Sequence, residues 1–106
     1  MPYTETVSEF FDRLKIPTNT ANNGSVQFEI EDESTYHLNL KTGNVSTKAN
    51  AEKPAIIVRA RALDFMALVE GRMSIEDGLL TERLHVAGDM LKITNILKTL
   101  RNSPQN

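Results

Sequence analysis

The side chains in this sequence best suited to metal binding or acid–base chemistry are its two histidines. His37 and His85 are the only histidines among 106 residues, and each occupies an alternating position in a segment with strand-like periodicity. A zinc or iron site normally needs three or four ligands, and neither histidine has a carboxylate at recognisable ligand spacing. The sequence therefore predicts two ordinary sheet histidines and no metal site.

The acidic run Glu31-Asp32-Glu33 is the next candidate, as a calcium site or an acid–base pair. Consecutive residues do not converge on one point unless a dedicated loop geometry brings their side chains together. We interpret the run as a solvated turn between two strands.

Other catalytic signatures are missing from the sequence. It contains no cysteine, which excludes disulfides, thiolate metal sites and thiol nucleophiles. It also lacks G-x-S-x-G, H-E-x-x-H, G-x-x-x-x-G-K-[ST] and G-x-G-x-x-G motifs. We therefore predict no catalytic residues and no cofactor, and a binding protein rather than an enzyme.

The overall charge and the length narrow the class of protein further. Twelve Lys and Arg residues against fourteen Asp and Glu residues give a net charge of −2, which supplies no general field to attract nucleic acid. The length of 106 residues is typical of one domain, so we expect a single domain over 1–106. Because the start is not a basic and then apolar leader, and no run of about 18 apolar residues occurs, we expect a cytoplasmic protein.

The elements that would position a site begin with a short amphipathic helix. Thr6 and Glu9 have the spacing of a capping box, and the residue before Pro17 is disfavoured in a helix. The sequence therefore predicts a helix over 6–15 and a polar loop over 18–25. Its apolar stripe consists of Val7, Phe10, Phe11 and Leu14.

Four segments rich in strand-forming residues follow. Polar turns at 32–34 and 41–44 join the first three into an antiparallel meander. The last segment is a compact apolar run that we expect to lie more centrally in the sheet. The predicted strands span 26–30, 36–40, 45–48 (the weakest) and 55–60.

The second half of the chain is predicted to be mainly helical. Six of the eight residues over 63–70 are apolar and point all round a helix, so this helix needs cover on more than one side. Ser74 begins a short helix, and a strand over 83–87 leads to a last helix that begins at Asp89. The apolar arc of the last helix, from which Leu91 is displaced, consists of Met90, Ile93, Ile96, Leu97 and Leu100.

The same half carries an ordered set of short motifs. A helix end of the form D-F-x-x-L-x-x-G-basic-apolar precedes a short helix and then a strand of the form basic-L-x-V-x-G-[DN]. Upstream, residues 36–43 fit an aromatic-x-L-x-L-x-x-G strand and turn. In order and spacing, over roughly 24–100, these motifs resemble the sterol carrier protein type 2 domain family. The matching residues are Asp64, Phe65, Leu68, Gly71, Arg72, Arg83, Leu84, Val86, Gly88 and Asp89.

This resemblance implies an α/β (α+β) fold in which helices cover a five-stranded, mostly antiparallel sheet and enclose an apolar tunnel or cavity. It also implies non-catalytic binding, and transfer, of sterols, fatty acyl chains or similar lipids. Two departures, Glu82 in place of a frequent glycine and Gly78-Leu79 in place of a common Ala-Phe pair, point to a reshaped or partly closed tunnel. The expected ligand-binding residues are Phe65, Met66, Val69, Met73, Ile75, Leu79, Leu80, Met90, Leu91, Ile93 and Leu97.

Two interpretations of this apolar region stay open. It either holds a lipid, which the adaptable side chains of Met66, Met73 and Met90 would suit, or it is a surface for dimerisation or for presenting an apolar substrate to a partner enzyme. Gap-filling in a plain core explains the methionines equally well. For a lipid site, an empty cavity of ~300 Å³ would forgo ~7 kcal/mol, so we expect the protein to retain lipid or to narrow its cavity.

The polar side of the last helix carries Lys92, Lys98 and Arg101. These cations suit a transient contact with an anionic membrane, although a solvated helix face with favourable charges near its C-terminus is the simpler interpretation.

Overall fold

The computed structural model describes residues 6–14, 24–47 and 54–101. Within these ranges the chain forms four helices and five strands, and we number each kind in chain order. The elements are α1 (Val7–Arg13), β1 (Ser25–Ile30), β2 (Thr35–Asn39), β3 (Val45–Ser46), β4 (Ile56–Ala60), α2 (Ala62–Val69), α3 (Ile75–Leu80), β5 (Leu84–Ala87) and α4 (Met90–Arg101).

The strands form one sheet in the order β3-β2-β1-β4-β5. Three neighbouring pairs are antiparallel, and only β1 and β4 are parallel. The five-stranded, mostly antiparallel sheet expected from the sequence is therefore confirmed. The fourth strand lies inside the sheet, as its apolar composition predicts, but the central strand is β1.

The strand register separates an apolar face from a polar face, because successive side chains of a strand point to opposite sides of a sheet. One row across β2, β1, β4 and β5 places apolar side chains at Tyr36, Phe28, Val58 and Val86. The neighbouring row is polar and consists of Thr35, Glu29, Arg59 and His85. We call the apolar side the inner face and the polar side the outer face.

Aromatic packing joins the helices to the inner face. The ring centroid of Phe65 on α2 lies 5.7 Å from that of Phe28 on β1, and Phe11 on α1 lies 5.3 Å from Phe28. Phe11 also stacks on Tyr36 at 4.4 Å, and Phe10 lies 5.8 Å from Phe65. These five rings, which we call the aromatic cluster, pack α1 and α2 against the sheet.

The predicted helix starts are confirmed by their hydrogen bonds. Thr6 and Glu9 form the complete capping box of α1, and Ser74 Oγ accepts from the N–H of Asp77 at 3.0 Å. Asp89 Oδ1 accepts from the backbone N–H groups of the second and third residues of α4. These short polar side chains satisfy amide groups that have no partner inside the helix.

Several boundaries differ from the sequence-based expectation. The helix predicted over 6–15 ends at Arg13, and the weakest strand contains only Val45–Ser46. Thr47, which is predicted to continue that strand, lies beyond its end, and Lys48 lies outside the described residues, as does most of the loop predicted over 18–25. The helix expected to be covered on more than one side leaves Leu63, in its first turn, 78% exposed.

Membrane-spanning segments can be assessed for the described part of the chain. No helix there is both long and apolar enough to cross a membrane.

Candidate functional site

The apolar layer between the helices and the inner face is the first candidate site. Helix α2 contributes four buried residues, half of its length, to this layer. These four residues pack against the sheet on one side and against α4 and α3 on the other. The cover predicted for the second side of this helix is therefore provided by other helices of the protein. The buried residues of α2 are Phe65, Met66, Leu68 and Val69.

Helix α4 completes this layer through one face. Ile93, Leu97 and Leu100 are buried, as the helical spacing of the apolar arc predicts. Hydrogen bonds fix both ends of the layer. Arg101 donates to the carbonyl oxygen of Leu68, and the N–H of Ala62 donates to Asp32 Oδ1 at 2.8 Å. The layer is thus apolar in the middle and fixed by hydrogen bonds at both ends of α2.

The eleven expected ligand-binding residues divide into three groups. Six are buried in this layer: Phe65, Met66, Val69, Met73, Ile93 and Leu97. Two are half-buried at its edge: Ile75 and Leu79. The remaining three are exposed on the surface: Leu80, Met90 and Leu91.

The exposed position of Met90 corrects the apolar arc expected for the last helix. Met90 is the first residue of α4 and remains 46% exposed. The buried side of α4 therefore begins only at Ile93.

A cavity of about 510 Å³ opens between α1, β2 and β3. Its apolar lining comes from Phe11, Leu14, Tyr36 and Val45, and the rest of the lining consists of Asp12, Gly43, Asn44, Ser46 and Thr47. We call it the edge cavity. None of the eleven expected residues lines it. Sequence reasoning missed it because it pairs the first helix with strands that are distant along the chain, although Phe11 and Leu14 do belong to the predicted stripe of that helix.

A second cavity of about 350 Å³ lies where β1 and β4 end and β5 begins. We call it the charged cavity, because every residue of its lining is ionisable: Glu31, Arg61, Asp64, Glu82, Arg83 and His85. Only the position of these residues next to strand ends could have identified it from the sequence.

The histidines and the acidic run contribute no metal site. His85 lies exposed on the outer face, and His37 lies on the same face, paired in register with Gln27. No group of three potential metal ligands converges anywhere in the described ranges. Glu31 and Asp32 form a turn, as expected.

One carboxyl on the outer face has a shifted pKa. Arg59 Nε donates to Glu29 Oε1 at 3.0 Å, and Gln27 donates to Glu29 Oε2 at 2.6 Å. The Arg59 hydrogen bond, followed by that of Gln27, holds the pKa of Glu29 below its ordinary value because both stabilise the carboxylate. The pair lies on the side of the sheet away from the apolar layer, so it has a structural role.

The model of the SCP-2 sterol transfer family matches residues 17–101. The chain belongs to this family. The match includes every strand and the three helices of the apolar layer, which confirms the resemblance seen in the short motifs. It also agrees with the observed α+β fold of this SCP-2 domain.

Solved structures of similar fold include carrier proteins of comparable length. The domain superposes on sterol carrier protein 2 from Yarrowia lipolytica with a TM-score of 0.59 and 22% identity, over 77% of this chain and 68% of that one. It superposes on sterol carrier protein 2 from Aedes aegypti, solved in complex with the C16 fatty acid palmitate, with a TM-score of 0.65 and 12% identity, over 89% and 86% of the two chains.

The same fold also occurs inside a much longer enzyme. The SCP-2 domain superposes on the inverting sec-alkylsulfatase Pisa1 from Pseudomonas sp. with a TM-score of 0.69 and 16% identity. The superposition covers 86% of this chain but only 16% of the sulfatase, so the chain spans about one sixth of that protein. No sequence among the curated proteins matches the chain significantly.

Proposed function

We propose that this SCP-2 domain binds a lipid with a long apolar chain, without catalysis, between its helical layer and the inner face of the sheet, and transfers it between sites. The observation that carries this proposal is the continuity between the edge cavity and the aromatic cluster. Phe11 lines the cavity, and its ring also stacks on Phe65 at a centroid distance of 5.5 Å. An apolar chain in the edge cavity would therefore meet the apolar layer directly.

The edge cavity has the properties of an entrance. Its volume falls within the range of ligand sites, about 300–1,000 Å³. Its lining combines apolar side chains with the polar residues Asn44, Ser46 and Thr47. A lipid entering tail first would leave its polar end beside these polar groups.

Beyond the entrance, we propose that the chain of the lipid lies along α2 and α4. The walls would be the six buried residues of the expected set together with the half-buried Ile75 and Leu79. Phe11 and Tyr36 join this set as residues of the entrance. Leu80, Met90 and Leu91 face solvent, and they would contact ligand only if the helices moved.

The closed packing of this layer is the form expected without ligand. An empty cavity of ~300 Å³ would forgo ~7 kcal/mol, which approaches the whole stability of a small domain. Separating α2 from the sheet breaks mainly apolar contacts, and a bound lipid chain would replace these. The hydrogen bonds that Asp32 and Arg101 form with α2 lie at the two ends of this helix. They can persist while the middle of the helix moves.

A tryptophan at the entrance tests this proposal. The natural chain contains no tryptophan, so Phe11→Trp introduces a single fluorophore. We expect a fatty acid brominated along its chain to quench this fluorescence, because the bromine atoms would lie close to the indole. The matched control is Ile57→Trp, which places the indole on the outer face, where we expect no quenching.

Two further measurements decide the outcome. Mass spectrometry of an organic extract identifies lipid that copurifies, and thermal melts with added palmitate measure stabilisation by ligand. Equal quenching at positions 11 and 57, with no copurified lipid and no shift in melting temperature, contradicts the proposal. Quenching at position 11 alone supports the entrance.

The alternative proposal is a module that presents an apolar substrate to an enzyme, alone or as a dimer. It is favoured by the occurrence of this fold inside the alkylsulfatase, of which it forms one part. Sedimentation velocity separates the two proposals. A monomer at all concentrations that takes up brominated fatty acid supports the carrier, and a tight dimer without uptake supports the module.

A further inference from the structure

We propose that the charged cavity binds the zwitterionic head group of a membrane phospholipid while two exposed leucines near it in the chain, Leu63 and Leu80, insert into the bilayer surface. This docking goes beyond the binding of a lipid chain in the apolar layer and does not depend on it. It would position the domain on the membrane with which lipid is exchanged.

The two arginines of the charged cavity are available for a ligand. Arg61 and Arg83 both line it, and neither guanidinium makes a salt bridge or side-chain hydrogen bond within the described residues. Elsewhere in the same ranges, Arg59 and Arg72 are paired with carboxylates, and Arg101 binds carbonyl oxygens. Guanidinium groups bind phosphate through paired, charge-assisted hydrogen bonds, so the two unpaired arginines favour a phosphate.

The start of α2 borders the same cavity through Arg61 and Asp64. Arg61 is the N-cap residue and provides no side-chain cap. The first N–H, of Ala62, is taken by Asp32, whereas those of Leu63 and Asp64 have no partner within the helix, because the first amides of a helix never do. These amides and the positive end of the helix dipole support binding of an anion beside the arginines.

The carboxylates of the lining determine which class of phosphate compound suits the cavity. Glu31, Asp64 and Glu82 line the cavity together with the arginines, so a purely anionic ligand would meet three negative groups. A head group that carries an ammonium next to its phosphate complements both signs. Glu82 has a φ of 61°, a left-handed conformation that costs a non-glycine residue about 1–3 kcal/mol. Its carboxylate is held at the cavity despite that cost.

Two exposed leucines lie close in the chain to residues that line the charged cavity. Leu63 precedes the lining residue Asp64 and is 78% exposed, and Leu80 lies two residues before Glu82 and is 82% exposed. Exposed leucines beside a site for a charged head group suit the interface of a bilayer, where the apolar chains begin directly below the phosphates. A soluble phosphate compound would give these leucines no apolar partner.

Flotation of the protein with vesicles tests the proposal. We expect binding to vesicles of phosphatidylcholine and phosphatidylethanolamine, and a decrease of about tenfold or more in the partition coefficient for Arg61→Gln/Arg83→Gln. Leu63→Ser/Leu80→Ser should cause a similar loss. The matched controls are Arg72→Gln, whose arginine is already paired with Glu70, and Leu91→Ser. Leu91 is 71% exposed but lies beyond the opposite end of β5.

The flotation results distinguish the proposed membrane docking from its alternatives. Loss of binding in the two cavity variants but not in the controls supports the proposal. Equal binding by all variants overturns it, and so does binding that occurs only to anionic vesicles. Binding of inorganic phosphate to Arg61 and Arg83, followed by NMR without any vesicle binding, would identify a free phosphate site and also overturn it. Quenching of Phe11→Trp by brominated fatty acid in the same variants reports the lipid-chain site independently.

Discussion

Arg101, at the end of α4, donates from Nη2 to the carbonyl oxygens of Leu68 at 3.2 Å and Met73 at 3.4 Å. The last carbonyl groups of a helix have no partner within it, and that of Leu68 accepts from this arginine as well as from the N–H of Gly71. The relationship fixes the C-terminal ends of two helices to each other. Arg101 is exposed, in agreement with the solvated face predicted for this side of α4, and its guanidinium has this structural role in addition.

Removing this arginine should destabilise the helical layer. For Arg101→Met we expect the free energy of unfolding to fall by about 1–3 kcal/mol, because the carbonyl oxygens of Leu68 and Met73 lose the hydrogen bonds from the guanidinium. Urea unfolding followed by circular dichroism measures the change. Lys98→Met, which removes an exposed cation from the same helix, should change stability by less than about 0.5 kcal/mol. Equal losses of stability in the two variants would show that the charge of the helix, and not the hydrogen bonds of Arg101, accounts for the effect.

The Glu29–Arg59 pair predicts a modest acid sensitivity. The pKa of Glu29 is lowered in the folded state, so its contribution is present above the unfolded pKa and is lost as pH falls through the folded pKa. The side chains are 24% and 53% exposed, and solvent screening limits the contribution to less than about 1 kcal/mol. Unfolding of Glu29→Gln at neutral pH and at about pH 3 should show a weaker loss in acid than the natural protein.

The control for this measurement is Glu33→Gln, which removes an exposed carboxylate from the turn after β1. It should retain the acid dependence of the natural protein. Identical pH profiles for both variants would mean that the hydrogen bonds from Arg59 and Gln27 do not stabilise the folded carboxylate.

Gly88 should not tolerate a side chain. Its φ is 121°, and a Cβ atom there would lie 2.8 Å from the carbonyl oxygen of Ala55, which belongs to the backbone and cannot rotate away. We expect Gly88→Ala to lower the free energy of unfolding by about 3 kcal/mol. Gly71→Ala is the control, because it has a φ of 80° but meets only the Arg101 side chain at 3.9 Å, and it should cost about 1 kcal/mol. Equal losses would rule out the contact with Ala55.

Gly78 tests one departure from the family pattern. A Cβ atom at this position would lie 3.0 Å from Leu84 Cβ and 3.1 Å from Met73 Cε. Overpacking of this kind costs about 1–3 kcal/mol, which should exceed the gain of about 1 kcal/mol from placing alanine in a helix. We therefore expect Gly78→Ala to unfold at lower urea concentration, whereas Glu76→Ala on the exposed side of α3 should change little. Stabilisation by Gly78→Ala would show that Leu84 and α3 can separate.

The order of elements could be predicted from the sequence because it depends on local patterns. The capping residues Thr6, Ser74 and Asp89 act within three residues of themselves, and alternation along a strand is set by backbone geometry. The pairing of β1 with β4 could not be predicted in this way. It joins segments about 30 residues apart, as in the register of Phe28 with Val58, and depends on the whole inner face being buried together.

The candidate site shows the same division. The sequence by itself determined that an apolar helical layer covers a sheet, and it placed Phe65, Ile93 and Leu97 in that layer, because apolar spacing decides which side of a helix is buried. Only the tertiary structure decided that Phe11 joins Phe65 at an edge cavity and that Arg61 and Arg83 meet at another. Cavities form where side chains from distant segments fail to fill the space between them, and their positions are set by packing in three dimensions.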